Sequence, residues 1–406
     1  MEPPIPPDGK DAPAPVRRRV VVHIGGYDPK SPEAFFARLE KEAARFERTW
    51  DVTVVPEGDV LAVTPDIHAR DYRTSSETEG WTVRTRVHQL TLDDIVLSGF
   101  QDPWWRRAGR WLAAFARFWT AGVGFALLRH AWRFWLYFAY PLAILLLGAG
   151  AIALTASFGW AVWPPLALAF GGVTAWWMVV RLLPRSHALH LMDLWTFSLR
   201  YIEGREPRIE AKLEALADVI ASAGSEEGVD EVLLVGHSTG GALILDAAAR
   251  SLDRPGAGPE RLAVMTVGST ALKVGLHPAG AWFRQRVGRL IDAGVPWYEF
   301  QALSDAINLY RTNPAALMGH RAEGVQVRRV RISRMVSDEM WRRMRRNFFR
   351  IHYQFVFANT RRVGYDYFAA LFGPLTLEGR DAARPRSEER LDGRTGNLTE
   401  TERHVP

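Results

Sequence analysis

Residues 236–240 read Gly-His-Ser-Thr-Gly, a serine framed by glycines two positions to either side. A serine hydroxyl is a weak nucleophile until a neighbouring base takes its proton and a carboxylate orients that base. The pattern carries meaning only in the right surroundings, and these are present. Val232–Val235 are four apolar residues, too few for a helix and suited to a short buried strand. The glycines that follow force a sharp turn, and Ala242-Leu-Ile-Leu-Asp-Ala-Ala-Ala249 reads as a tightly packed helix. Such a strand–turn–helix lifts the serine side chain at the strand tip. The start of the helix adds backbone N–H groups and the positive end of its dipole beside the hydroxyl. Gly236, His237, Ser238, Thr239 and Gly240 therefore read as a nucleophile elbow with Ser238 as the nucleophile.

With this elbow, the run Val20 to Asp28, Asp305 and His352, the sequence resembles the α/β-hydrolase family. The match falls in two blocks, residues 16–102 and 186–376, on either side of an apolar insert. The resemblance implies an α/β fold class: a mostly parallel sheet flanked by helices, with the triad in chain order serine, acid, histidine. On that order Asp305 is the acid, because it lies just past the strand Val295–Ala302. Asp292, in a helix before that strand, and Glu299, in mid-strand, are the alternatives. The base should follow the last strand, Val325–Ile332, which points to His352. His320 precedes that strand and is the runner-up base. His352 falls in a segment read as one helix, Asp338 to Phe357, where the family uses a loop. His237 is expected to point away from its neighbour and His23 to border a glycine loop, so neither is chosen. The resemblance also places an oxyanion loop at Gly25-Gly26-Tyr27-Asp28, where the Gly26 or Tyr27 amide would join that of Thr239. Taken alone, these glycines are also compatible with an ordinary tight turn. The implied chemistry is ester hydrolysis through an acyl-enzyme, with no cofactor. Metal-ligand spacings such as H-E-x-x-H, a P-loop and G-x-G-x-x-G are all missing from the chain.

The elements that would position these residues can be read along the chain. Residues 1–15 are proline-rich without an apolar run, and are expected to be a disordered lead and no signal peptide. Arg17–Ile24 reads as the first strand, and a helix runs from about Ser31 to Arg48 with Pro32 in its first turn. Val52–Val55, Val60–Val63 and Trp81–Leu90 are strand-like, and Leu92–Phe100 reads as a helix. His187–Glu203 and Pro207–Ala223 are expected helices before the elbow. After it come a strand at Arg261–Val267 and a helix at Trp282–Ala293. Residues 377–406 are charged and poor in apolar side chains, and read as a disordered tail.

Between the blocks the composition changes. Residues 103–133 mix Trp104, Trp105, Trp111, Trp119 and Trp132 with six arginines, as suits a segment lying at a membrane interface. Residues 134–183 hold two uncharged stretches, Phe134–Ser157 and Trp160–Val180, each near the ~20 residues that cross a bilayer. Phe158-Gly159 reads as the turn of a two-span transmembrane hairpin. Arg129, Arg133, Arg181 and Arg185 flank its outer ends while the turn has no charge, which by the positive-inside rule puts both blocks in the cytoplasm. The expected partners are thus a lipid bilayer and a small-molecule or lipid ester.

The 406 residues include no cysteine, so disulfides and thiolate catalysis are excluded, and the 48% hydrophobic content is ample for a core. Of the 51 basic residues only five are lysines, and the net charge is +6. Many of the arginines flank aromatic stretches, a pattern that favours an anionic membrane surface over nucleic acid. An interaction module built on a hydrolase-like domain without turnover is the alternative function. A channel is disfavoured, because neither span carries an ionisable residue.

Overall fold

A computed structural model describes residues 15–182, 185, 187–256 and 258–384. The chain divides into two compact units, Met1–Ile95 with Pro207–Pro406, and Val96–Glu206.

The first unit is built on an eight-stranded sheet. Its strands are β1 (Arg18–Ile24), β2 (Thr53–Thr64), β3 (Ile67–Ser76), β4 (Trp81–Leu90), β5 (Glu231–His237), β6 (Leu262–Val267), β7 (Trp297–Ala302) and β8 (Gln326–Val330). Their order is β2-β3-β4-β1-β5-β6-β7-β8. Six neighbours, β4 to β8 through β1, run parallel, and β2 and β3 add an antiparallel edge. β5, β6 and β7 are buried along their whole length, as central parallel strands covered on both faces are. On one face Val21, Leu233, Met265 and Phe300 pack with Phe35, Phe36, Leu39 and Phe46 of α1 (Pro32–Trp50). Burying each of those four helical side chains contributes roughly 1.5–3 kcal/mol. Ser31 caps α1 by accepting the Ala34 amide at 3.3 Å, and Pro32 begins it, as its fixed φ favours. The alternating residues Val20, Val22, Val232, Leu234 and Val264 are buried on the opposite face. There α2 (Pro207–Ser225) and α3 (Gly240–Ser251) cover them, and α4 (Ala281–Asp292) packs on α3.

Three readings of this unit need correction. β3 was not anticipated, and Val52–Val55 and Val60–Val63 are parts of the single strand β2, whose register shifts between Glu57 and Leu61. The expected helix Asp338–Phe357 is broken into Asp338–Met344, α5 (Phe348–Tyr353) and a 3-10 turn at Gln354–Val356. The first piece ends at Met344, and Asn347 starts the second by accepting the Arg350 amide at 2.9 Å. The third correction concerns the tail. Leu377–Ala382 forms a helix capped by Thr376, and Asp381 accepts Arg328 at 2.6 Å, so order continues past residue 377. Residues 385–406 of that tail and 1–14 of the lead lie outside the described residues.

The second unit is helical. The basic aromatic segment forms Trp104–Thr120 and Val123–His130, bent by 73° at Gly122, whose φ is +79°. Trp111 and Phe118 are buried in an aromatic cluster with Phe134, Phe138 and Trp195, where Phe138 and Trp195 have centroids 4.3 Å apart. Trp105 and Leu112 of the same helix stay 60% and 44% exposed, so the helix has a second apolar face without cover in this unit. Two helices, Trp132–Val162 and Pro164–Leu182, are long and apolar enough to cross a membrane. The first has 31 residues and is about 46 Å long, more than a ~30 Å hydrocarbon core requires. The expected turn at Phe158-Gly159 is a further correction: the helix continues through it and breaks at Trp163, before Pro164. Gly159 is small for a packing reason, since a Cβ there would lie 2.7 Å from the Leu166 carbonyl. Thr155 and Thr174 hydroxyls meet at 3.1 Å across the same pair, the close small-residue contact that joins helices in lipid.

Candidate active site

The chain leaves β1 toward β2–β4 on one side of the sheet and leaves β5 toward β6–β8 on the other. β1 and β5 are parallel neighbours, so their carboxyl ends flank a topological switch point, where open α/β sheets form their binding crevice. Gly25-Gly26 follow β1 there, and Ser238 follows β5.

Ser238 has φ +58°, in the left-handed region that costs a non-glycine residue about 1–3 kcal/mol. The surroundings hold it there. Its amide donates to the Val267 carbonyl at 3.1 Å, and its carbonyl accepts Gly241 and Thr270, each at 3.1 Å. The flanking glycines are required by space. A Cβ on Gly236 would lie 2.5 Å from Ile244, and one on Gly240 would lie 2.2 Å from the Ile24 carbonyl. The start of α3 is therefore pressed against the end of β1. On Gly26 a Cβ would lie 3.3 Å from the Ser238 Cβ and 3.6 Å from its Oγ, so the glycine loop lies directly against the serine side chain.

His352 and Asp305 meet, 47 residues apart in sequence. His352 Nδ1 donates to Asp305 Oδ2 at 2.7 Å, and both side chains are buried. The other carboxylate oxygen of Asp305 accepts the Ile307 amide at 2.8 Å, and its backbone carbonyl accepts Asn308 Nδ2 at 2.8 Å. The Asp305 carboxylate is thus immobilised on the turn after β7. With Nδ1 donating, Nε2 carries the lone pair, and it is buried without a hydrogen-bond partner. The break at Asn347 lets α5 bring His352 onto the turn after β6. There Gly268, at φ +55°, leaves room for the ring: a Cβ would lie 2.9 Å from His352 Cε1. No hydrogen bond joins Nε2 to the Ser238 hydroxyl among the described residues. Such contacts commonly close only around a ligand.

The amides of Thr239, at the start of α3, and of Gly26 donate no hydrogen bond among the described residues. They flank the serine from two sides, as donors to a developing oxyanion would. Tyr27, the alternative donor, is buried with its own contacts. Two neighbours were not legible in the sequence. His237 does not point away: its ring lies 4.5 Å from that of His352, and its Nε2 meets the His352 carbonyl at 3.3 Å. Burial, with His352 second, holds His237 well below the usual imidazole range, so it lies against His352 as a neutral ring tilted by 35°. Lys273, buried on the turn after β6, donates from Nζ to the Thr239 hydroxyl at 3.1 Å, and burial lowers it to about 7.

The other candidates sit elsewhere. His320 Nε2 bonds to the Arg284 carbonyl at 2.9 Å against α4, and Asp292 ends that helix. His23 is buried with Tyr367 Oη 3.2 Å from its Nδ1. Glu299 is hydrogen-bonded to the Thr266 hydroxyl, which also accepts Trp297 Nε1 at 2.6 Å. Burial pushes the Glu299 carboxyl up from 4.5 to about 8. The folded protein keeps this proton to near pH 8 while the unfolded chain loses it near 4.5. Stability from this group is therefore complete below 4.5 and is lost as pH rises toward 8, at up to about 1.4 kcal/mol per pH unit. Glu299→Gln should flatten that slope and be more stable than wild type at pH 8. Denaturant midpoints of both proteins at pH 5 and pH 8 check this; parallel shifts would contradict it.

No group of three or more His, Cys, Asp or Glu that could hold a metal ion occurs among the described residues. No family model matches the chain, and no curated protein or solved structure matches it either.

Proposed function

We propose that this chain is a membrane-anchored serine hydrolase of the α/β-hydrolase kind, cleaving acyl esters through Ser238, His352 and Asp305. The observation that carries the reading is the convergence at one switch point of a left-handed serine, a buried Asp305–His352 pair and the Gly26 loop. Ser238 Oγ attacks the ester carbonyl as His352 Nε2 takes its proton, and Asp305 keeps Nδ1 protonated and stabilises the imidazolium. The Thr239 and Gly26 amides hold the oxyanion, a type of contact worth ~10²–10³ in kcat for each donor. His352 then protonates the departing alcohol, and water, activated by the same nitrogen, releases the acid.

β1 precedes the apolar insert and β5 follows it, and the two pair along their length. A chain that returns to the same sheet must cross a bilayer an even number of times. This favours the hairpin as the anchor, with the bent Trp104–His130 pair lying at the interface or re-entering it. The arginine asymmetry then puts both blocks in the cytoplasm. Reporters fused at Trp163 and at the C-terminus should mark opposite sides of the membrane, and the same side for both would overturn this topology.

Hydrolysis tests the reading. Purified full-length protein in nanodiscs should cleave esters from a panel of varied acyl length, and Ser238→Ala should not. Folded wild-type protein that cleaves none of them would instead favour a tethered interaction module.

A further inference from the structure

Beside the elbow the crevice widens into a cleft lined by Gly25, Gly26, Lys30, Arg38, His237 and Tyr353. Its charges are unevenly satisfied. Asp28 is held by Lys30 Nζ at 2.6 Å and by the Tyr353 hydroxyl at 2.5 Å, and Lys30 also lies 4.4 Å from the Tyr353 ring centre. Lys30 and Asp28 thus neutralise one another. Arg38 has no carboxylate partner among the described residues. Its guanidinium is half-buried and lies against the Phe35 and Phe357 rings, at 5.4 Å and 5.7 Å. Aromatic faces fix its plane without satisfying its five donors. Its charge also acts inward: after burial, Arg38 is the first charge lowering His23, to about 3, and it contributes to lowering His237. The cleft walls are therefore neutral imidazoles, a neutralised ion pair and one surplus guanidinium, alongside the free Gly26 amide.

We propose that this cleft is an anion subsite, in which Arg38 takes a phosphate or carboxylate carried by the ester substrate. The proposal rests on Ser238 being the nucleophile in one respect only, that the bound molecule is the substrate. A fork of guanidinium donors matches such oxyanions bidentately, and each charge-assisted hydrogen bond is about twice as strong as a neutral one. The same chemistry can come from a lipid phosphate or from a water-soluble anionic ester.

The test uses the full chain in nanodiscs. Inorganic phosphate, titrated calorimetrically, should bind wild type, and its affinity should fall roughly 10–100-fold in Arg38→Met. Lys30→Met should lose less, because Asp28 already offsets that charge. The kcat/KM ratio of 4-nitrophenyl hemiglutarate over 4-nitrophenyl butyrate should fall by a similar factor in Arg38→Met. If that variant does not fold, Arg38→Lys, which keeps the charge without the fork, should show an intermediate loss. Competition with phosphate by phosphatidic acid nanodiscs, and not by phosphatidylcholine ones, assigns a lipid source; no competition by either assigns a soluble ester. Equal phosphate binding by wild type and folded Arg38→Met, or an unchanged ester ratio, overturns the subsite. Phosphate binding that depends on Arg38 in a protein without esterase activity would instead fault Ser238 and leave the anion site standing.

Discussion

Ser238→Ala, His352→Ala and the double variant should all fall to the same residual rate, roughly 10⁶ below wild type in kcat. In the proposed mechanism the serine and histidine act on one proton. Without the base the hydroxyl is not activated, and without the hydroxyl the base has nothing to activate. Asp305→Asn should cost less, ~10⁴, because Asp305 handles no proton; it fixes the tautomer through the 2.7 Å bond to Nδ1. His320→Ala should stay near wild type in kcat, since its ring nitrogen is engaged by the Arg284 carbonyl. Steady-state kinetics on the best ester of the panel measures all five proteins. Additive losses in the double variant would show that the two residues do not form a unit.

The second large effect is on stability. Arg19 is fully buried at the base of the sheet and donates from Nε to Glu231 Oε2 at 2.6 Å. Its remaining nitrogens bond the carbonyls of Leu371, Gly373 and Leu375, at 3.2, 2.8 and 2.6 Å. One guanidinium thus links β1, β5, the end of α6 (Tyr367–Phe372) and the segment after it, and every residue of α6 is buried. Arg19→Met leaves the Glu231 carboxylate buried without its cation and should cost about 3–5 kcal/mol. Adding Glu231→Leu should recover much of that loss, because the desolvated charge goes with it. Thermal unfolding in detergent measures both variants. A loss below about 1 kcal/mol in Arg19→Met would show that solvent reaches the pair.

The elbow was legible because it is local: strand, glycines and helix are contiguous, and each glycine is set by a contact within a few residues or to a neighbouring strand. The two long apolar helices were legible from length and charge alone, though not where the chain turns between them. The misreadings share a cause, which is that a distant contact decides the local outcome. β3 escaped because burial passes from one face, at Ile67 and Ala69, to the other, at Tyr72, Thr74 and Ser76, which breaks the alternation by which a strand is read. Gly159 looked like a turn, yet its lack of a side chain serves the approach of the next helix, and the chain turns four residues later at Trp163. Leu377–Ala382 looked like tail because its order depends on Arg328 and Glu231, the latter accepting the Leu377 amide at 2.6 Å. At the site, chain order pointed to Asp305 and His352. The contact of the His237 and His352 rings, the reach of Lys273 to Thr239 and the place of the half-buried Arg38 beside Phe357 have no sequence signal, since each depends on elements brought together by the fold.

The most direct test of the nucleophile is covalent capture. Full-length protein in nanodiscs, treated with a fluorophosphonate and digested, should carry one adduct, on Ser238, and Ser238→Ala should carry none. An adduct confined to another residue, or no adduct on folded wild-type protein, would contradict the account.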